Sequence, residues 1–208
     1  MKGYYAAAVE AESEFVEKKS RFITHARPVT TAAQAEEFVS EIKKRYPDAR
    51  HHCWAYRVHD PFGERYSDDG EPQGTAGSPM LGVLQKQDIE DVCVVVVRYF
   101  GGILLGASGL TRAYSRGCAD GVEQVGRSYK CPARVLTIEI PYDRLSAVER
   151  QMEHHTVELM DKVYHSAVTL MLALPVEECQ SFKNALTELS GGKIIVRDGE
   201  EKLVIFKS

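Results

Sequence analysis

Residues 92–110 read VCVVVVRYFGGILLGASGL, and this stretch decides the fold. Six consecutive apolar residues, Val92 to Val97, are what a strand buried on both faces requires. The run then meets Gly101-Gly102 and, a few residues on, Gly106 and Gly109, before a helix-period segment spans Leu110 to Gly126. A strand feeding a helix through such a loop leaves the N–H groups at the helix start open to an anion, and glycines clear the approach path. The spacing is neither G-x-x-x-x-G-K-[ST] nor a clean G-x-G-x-x-G, so neither a P-loop nor a dinucleotide fold is indicated. At six residues, the longest apolar run falls far short of the ~20 needed to span a bilayer.

The rest of the chain supports a soluble globular protein. Of 208 residues, 44% are hydrophobic and 27% charged, which excludes wholesale disorder. Basic residues number 26 against 30 acidic ones, a net charge of −4, so no global basic field attracts nucleic acid or anionic lipid. Any polyanion binding must rest on a local patch, for which Arg98, Arg112 and Arg116 are the candidates, with Tyr99 and Tyr114 as stacking faces. The N-terminus carries no secretory signal pattern, so a cytoplasmic location without membrane association is expected. Five cysteines, without a C-x-x-C pair, read as reduced thiols, most of them in the core.

Of 16 glycines, 11 lie between Gly63 and Gly121. Past Pro132 the texture changes, and a domain boundary is expected there, giving domains 1–132 and 133–208. In the first, residues 14–29 suggest an antiparallel pair turning near Lys18-Lys19. Thr30 or Thr31 is placed to cap a helix with the apolar face Ala35, Phe38, Val39, Ile42 and Tyr46. His51 to Val58 reads as a strand, and Pro79 to Gln87 as a helix with Ser78 as N-cap and Pro79 at its first position. The second domain reads strand, helix, strand, strand, helix, strand, the ferredoxin-like βαββαβ order. There Pro175 is expected to open the second helix, and Asp198-Gly199 to be a turn dividing the last two strands.

Two further segments carry possible chemistry. In His51-His52-Cys53-Trp54 successive residues face opposite sides of a strand, so a two-histidine metal site is disfavoured, and a hydrolase pairing of Cys53 with either histidine is poorly placed. Residues 67–79 hold Asp68, Asp69 and Glu71 among Gly70, Gly74, Thr75 and Gly77. These acids can hold Mg²⁺ through water, cap backbone N–H groups in turns, or form a ligand or partner surface. Arg98 and Arg112 are open to pairing with them, which would make both arginines structural.

Together, His51-His52-Cys53-Trp54-Ala55-Tyr56-Arg57, Ser67-Asp68-Asp69-Gly70-Glu71-Pro72 with Gly74-Thr75-Ala76-Gly77, and Val95-Val96-Val97-Arg98-Tyr99-Phe100-Gly101-Gly102 resemble the signature of the IMPACT/YigZ family over roughly residues 15–125. The resemblance implies an α+β protein. Its N-terminal domain is expected to resemble domain 2 of ribosomal protein S5, and its C-terminal ferredoxin-like domain the last domain of elongation factor G. It implies a non-enzymatic, translation-linked regulator with no catalytic residue, metal or cofactor, whose partner is the ribosome, RNA or a translation-regulatory protein. The implied surface holds His51, Asp68, Asp69, Gly70, Glu71, Thr75, Arg98, Tyr99, Gly101, Gly102 and Arg112, to which the loop adds Gly106 and Gly109 and the basic patch Arg116. The alternative is a nucleotide-binding or phosphoryl-transfer protein that holds phosphate at the glycine loop. One position departs from the family's Leu-Gly-x-Gly-Gly-Leu: Ser108 stands where a second glycine is usual.

Overall fold

The computed structural model describes residues 3–206 and falls into two compact units, Tyr4–Ser128 and a second that joins Gly3 to the chain from Tyr129 onward. Both mix sheets and helices. The first contains β1 (Tyr4–Ala7), β2 (Ala11–Glu17), β3 (Ser20–Pro28), α1 (Ala32–Arg45), β4 (His51–Val58), β5 (Gly63–Ser67), α2 (Gly77–Lys86), β6 (Ile89–Glu90), β7 (Val92–Tyr99) and α3 (Ala107–Val125). Five of its strands form an antiparallel sheet in the order β2-β3-β7-β4-β5, and β1 pairs with β6 in parallel.

The valine run is the central strand, β7, and its alternation feeds two cores. Val92, Val94 and Val96 pack with Met80, Leu84, Leu110 and Cys118 of α2 and α3. Cys93, Val95 and Val97 pack with Ala35, Phe38 and Ile42 of α1. Helices therefore cover both faces of the sheet, which is why no polar residue interrupts the strand until Arg98.

Local signals set the flanking elements. Thr31 caps α1, its Oγ1 accepting from Gln34 N at 3.2 Å, and Lys43, Lys44 and Arg45 occupy the last turn, where cations complement the helix dipole. The β2–β3 hairpin closes through Lys18 and Lys19, with φ of 45° and 64°. Helix α2 starts earlier than expected: Ala76 is its N-cap, so Ser78 and Pro79 lie inside the first turn and Ser78 does not cap it.

The second unit is built from β8 (Arg127–Ile140), α4 (Leu145–Met152), β9 (Glu158–Tyr164), β10 (Val168–Pro175), α5 (Cys179–Ser190) and β11 (Ile195–Phe206). Its sheet runs β9-β10-β8-β11 with every neighbouring pair antiparallel. Leu136, Ile138, Ile140, Leu170, Leu172, Phe182 and Leu186 form its core. The expected boundary at 132/133 falls inside β8, so the change in composition marks a new core and not a loop.

Two local expectations change here. Pro175 ends β10, and a short 3-10 turn, Val176–Glu178, separates it from α5. Asp198-Gly199 is a bulge and not a strand break: β11 continues through a register shift between Asp198 and Glu201, because both of its halves pair with β8. Among the described residues, no helix is long and apolar enough to cross a membrane.

Candidate functional site

Four segments far apart in sequence meet at one end of the first unit's sheet: the β2–β3 turn, the start of β4, residues 67–77 and the loop from β7 into α3. Phe22, Arg98 and His51 stand in register across β3, β7 and β4, on the face covered by α2 and α3. Arg98 is only 5% exposed. Its Nη1 donates to Glu71 Oε1 at 2.7 Å and its Nη2 to Ser20 Oγ at 3.3 Å, while Tyr114 Oη donates to the same Glu71 oxygen at 2.8 Å.

Arg98 is therefore a buried ion-pair partner and does not belong to a surface basic patch. The physical reason is strand alternation, which aims it inward beside Val96. Tyr114 is buried against the same carboxylate and offers no stacking face. Tyr99, next along β7, points to the α1 side, where its hydroxyl donates to Asp48 Oδ1 at 2.8 Å.

The three acids of residues 68–71 diverge instead of converging on a cation. Asp68 receives the N–H groups of Gly74, Ala76 and Gly77 at 2.8–3.0 Å, capping α2 from eight or nine residues upstream. Asp69 accepts from Lys43 Nζ at 2.7 Å and His52 N at 2.8 Å, and Glu71 faces Arg98. Among the described residues, no group of three or more His, Cys, Asp and Glu side chains is arranged to hold a metal ion. Gly70, at φ 86°, turns the chain beside His51, and Thr75 Oγ1 donates to Pro72 O at 2.6 Å.

The two histidines split as alternation requires. His51 Nδ1 lies 3.1 Å from Asp69 O, and His52 Nε2 lies 2.9 Å from Tyr46 O on the other face. Cys53 is buried and donates to Asp68 O, and burial pushes its thiol far above the ordinary range, which disfavours the thiolate.

Burial pushes the Asp69 carboxyl up, but the Lys43 ammonium and the His52 N–H outweigh it and hold the group below its ordinary value. A depressed folded-state value contributes stability above the unfolded carboxyl's value near 4 and loses it as pH falls through the folded value. Asp69→Asn, which tolerates the observed φ of 39°, should lower the urea midpoint at neutral pH. The gap to the parent should then close steadily below about pH 4. A gap that stays constant down to pH 2 would show that the ionisation of Asp69 does not contribute to stability.

The loop itself runs over the hairpin. Gly101 N donates to Ser20 Oγ at 3.2 Å, and Gly102 adopts φ 84°. Gly106, at φ 73°, is the N-cap of α3, without a side-chain cap. Ser108 lies within the first turn of that helix, so a glycine-only conformation is not needed there and the departure from the family pattern is accommodated.

Two grooves flank the start of α3. The first, of about 240 Å³, has Phe15, Leu105 and Ala113 as its apolar floor, with Gly109 beside them. Lys18, Arg112 and Arg116 line it against one acid, Glu17. Arg116 lies 4.3 Å above the Phe15 ring and 3.6 Å from Asp120, whereas Lys18 and Arg112 have no ion-pair partner among the described residues. The second, of about 340 Å³, lies between His51, Glu71 and Arg98 on one side and Phe100, Leu104 and Leu110 on the other. Arg112 and Arg116 thus line one groove, while Arg98 lies in the floor of the other. Lys18 and Phe15 were not singled out from sequence, although two lysines in a two-residue hairpin turn, where Asn-Gly is preferred, were a legible signal.

Comparison with known proteins matches residues 18–122 to the Impact N-terminal domain and residues 138–193 to a domain of unknown function, DUF1949. The IMPACT family member YvyE of Bacillus subtilis is 37% identical over 198 residues, covering 95% of this chain and 91% of that protein. Protein IMPACT of Xenopus laevis is 36% identical over 96 residues, 43% of this chain and 30% of its own length. A solved structure described as that of a hypothetical protein superposes with a TM-score of 0.61 at 34% identity, covering 97% of this chain and all of that one.

Proposed function

Because the chain belongs to the IMPACT family, we propose that it is a non-enzymatic regulator of translation that docks on RNA of the translation machinery through the basic groove at the start of α3. On this reading it acts in the cytoplasm. The first unit resembles the S5 domain 2 fold and the second, by its element and strand order, the ferredoxin-like fold shared with the last domain of elongation factor G.

One observation carries the proposal. Lys18 and Lys19 both occupy the left-handed region, at a cost on the order of 1–2 kcal/mol per residue, in a turn that Asn-Gly closes without strain. Backbone strain of this kind concentrates where function requires it. Here it places Lys18 at the rim of a groove already lined by Arg112 and Arg116. The polar residues of the 68–71 segment, by contrast, are engaged inside the protein. Asp68 and Asp69, which a phosphoryl-transfer reading would need as base or Mg²⁺ ligand, are bound to α2, Lys43 and His52.

Replacing Lys18-Lys19 by Asn-Gly separates strain from function. The double variant should melt at a temperature equal to or above the parent's, yet lose most of its co-sedimentation with ribosomes on a sucrose gradient, as should Arg112→Glu. With so few phosphates neutralised, the salt dependence should be shallow, on the order of 2–4 ions released. Undiminished co-sedimentation of a stabilised variant would refute the groove as the docking surface.

A further inference from the structure

The lining of the basic groove continues along α3. Gly109, Arg112 and Arg116 line that groove at helical spacings of three and four, and the same face of α3 passes through Ala119 into a third groove, of about 590 Å³, which Arg116 also lines. Lys86 and Gln87 from the end of α2 line it together with Arg127, and Val83 and Ala119 are its apolar residues. Lys86 is exposed and has no ion-pair partner among the described residues. Arg127 is held in place, its Nη2 donating to Gln87 O at 2.7 Å and its guanidinium lying 5.6 Å from the centre of the Tyr5 ring. Among the described residues no acid lines this groove, and both grooves belong to the first unit.

Joined at Arg116, the two grooves form one line of five cations, Lys18, Arg112, Arg116, Lys86 and Arg127. Set against them are Glu17 and the Asp120 carboxylate, 3.6 Å from Arg116. This arrangement discriminates between forms of RNA. A duplex is held through the backbones of two strands across its minor groove and keeps its base faces stacked inside. A single line of cations follows one backbone, and the apolar residues between them, such as Leu105, Ala113 and Ala119, suit base faces that only an unpaired strand exposes.

We infer that the RNA held along α3 is single-stranded and runs from Lys18 past Arg116 to Lys86 and Arg127. From Gly109 to Ala119 the lining face of α3 is about 15 Å long. A stacked strand covers that length in about four or five nucleotides at roughly 3.4 Å each, near the lower end of site sizes for single-strand binders. Five phosphates neutralised on a single strand release about 3.5 ions, which agrees with the shallow salt dependence expected of the docking surface. This inference rests on the docking reading, since it extends the same groove and names the form of RNA that the groove takes.

Fluorescence anisotropy with labelled oligouridines of two to twelve nucleotides, and with a twelve-base-pair RNA duplex, tests it. Affinity should climb with length and level off at about five nucleotides, and the duplex should bind at least about 10-fold more weakly than the twelve-nucleotide strand. Lys86→Gln, at an exposed position, should keep the parent's melting temperature. It should weaken the eight-nucleotide strand about 5-fold and lower the salt slope by about 0.7 of an ion, while a three-nucleotide strand, which the Lys18, Arg112 and Arg116 groove holds alone, should lose less than about 2-fold. A duplex that binds as tightly as the single strand, or an eight-nucleotide strand indifferent to Lys86→Gln, would overturn the inference and leave the docking groove standing. No binding of any RNA at low salt would overturn both. An octaglutamate peptide that binds as tightly as the eight-nucleotide strand would overturn RNA as the occupant.

Discussion

Replacing Arg98 by methionine should destabilise the first unit by about 3–5 kcal/mol, the range for removing one partner of a buried ion pair. The loss follows from what remains behind. Glu71 would keep its charge in a site 9% exposed, with Tyr114 as its only remaining side-chain donor among the described residues, and Ser20 Oγ would lose the Arg98 donor and keep Gly101 N. The double change Arg98→Met with Glu71→Leu should recover much of the loss, because neither charge is then left uncompensated. Urea denaturation of the two variants and the parent gives both numbers. A loss below about 1 kcal/mol, typical of surface pairs, would show that solvent reaches the pair and would return Arg98 to the surface patch.

Gly101→Ala should be of similar severity for a different reason. A Cβ on Gly101 would lie 2.0 Å from both the carbonyl carbon and oxygen of Lys19 and 2.4 Å from Ser20 N. Those atoms are backbone of the hairpin turn, so they cannot rotate away as a side chain would. Overpacking of a core costs about 1–3 kcal/mol when side chains can adjust, and here the expected loss reaches or exceeds the top of that range. Gly102→Ala meets no atom within 4 Å but must hold φ 84°, so it should cost only about 1–2 kcal/mol. Gly82→Ala, inside α2 and with open space around it, should stabilise by about 0.5–1 kcal/mol. If Gly101→Ala proved no worse than Gly102→Ala, the loop would be free to lift off the hairpin.

The contrast among these glycines shows how sequence and structure divide the information. Their concentration between Gly63 and Gly121 marked the region that carries the candidate site. It did not distinguish Gly101, needed for its missing side chain, from Gly102 and Gly106, needed for their backbone angles. That distinction depends on the backbone of Lys19, some eighty residues upstream.

Local chemistry was legible wherever the cause lay within a few residues. A threonine cap on α1, which the sequence left open between Thr30 and Thr31, the Lys18-Lys19 turn and the βαββαβ order of the second unit all follow from periodicity and turn residues, whose interactions close over three or four positions. Alternation along β4 likewise separated His51 from His52. The start of α2 was misplaced because its cap is Asp68, which reaches Gly74, Ala76 and Gly77 across a turn of six to nine residues. A side chain acting over that span leaves no mark at the helix boundary, and Ser78-Pro79 carried the conventional signature instead.

What the sequence determined by itself was most of the elements, though not the short strands β1, β5 and β6, together with the absence of a global basic field and the segments from which a candidate site is built. Only the tertiary structure decided which of their side chains face outward. Arg98, Arg112 and Arg116 are equivalent as letters, yet β7 turns Arg98 into the core beside Glu71 while α3 leaves Arg112 and Arg116 along a groove. The reason is physical: a charge's role depends on whether a partner desolvates with it. That partner, Glu71, comes from a loop 27 residues away, brought there by the packing of α2 and α3 on the sheet.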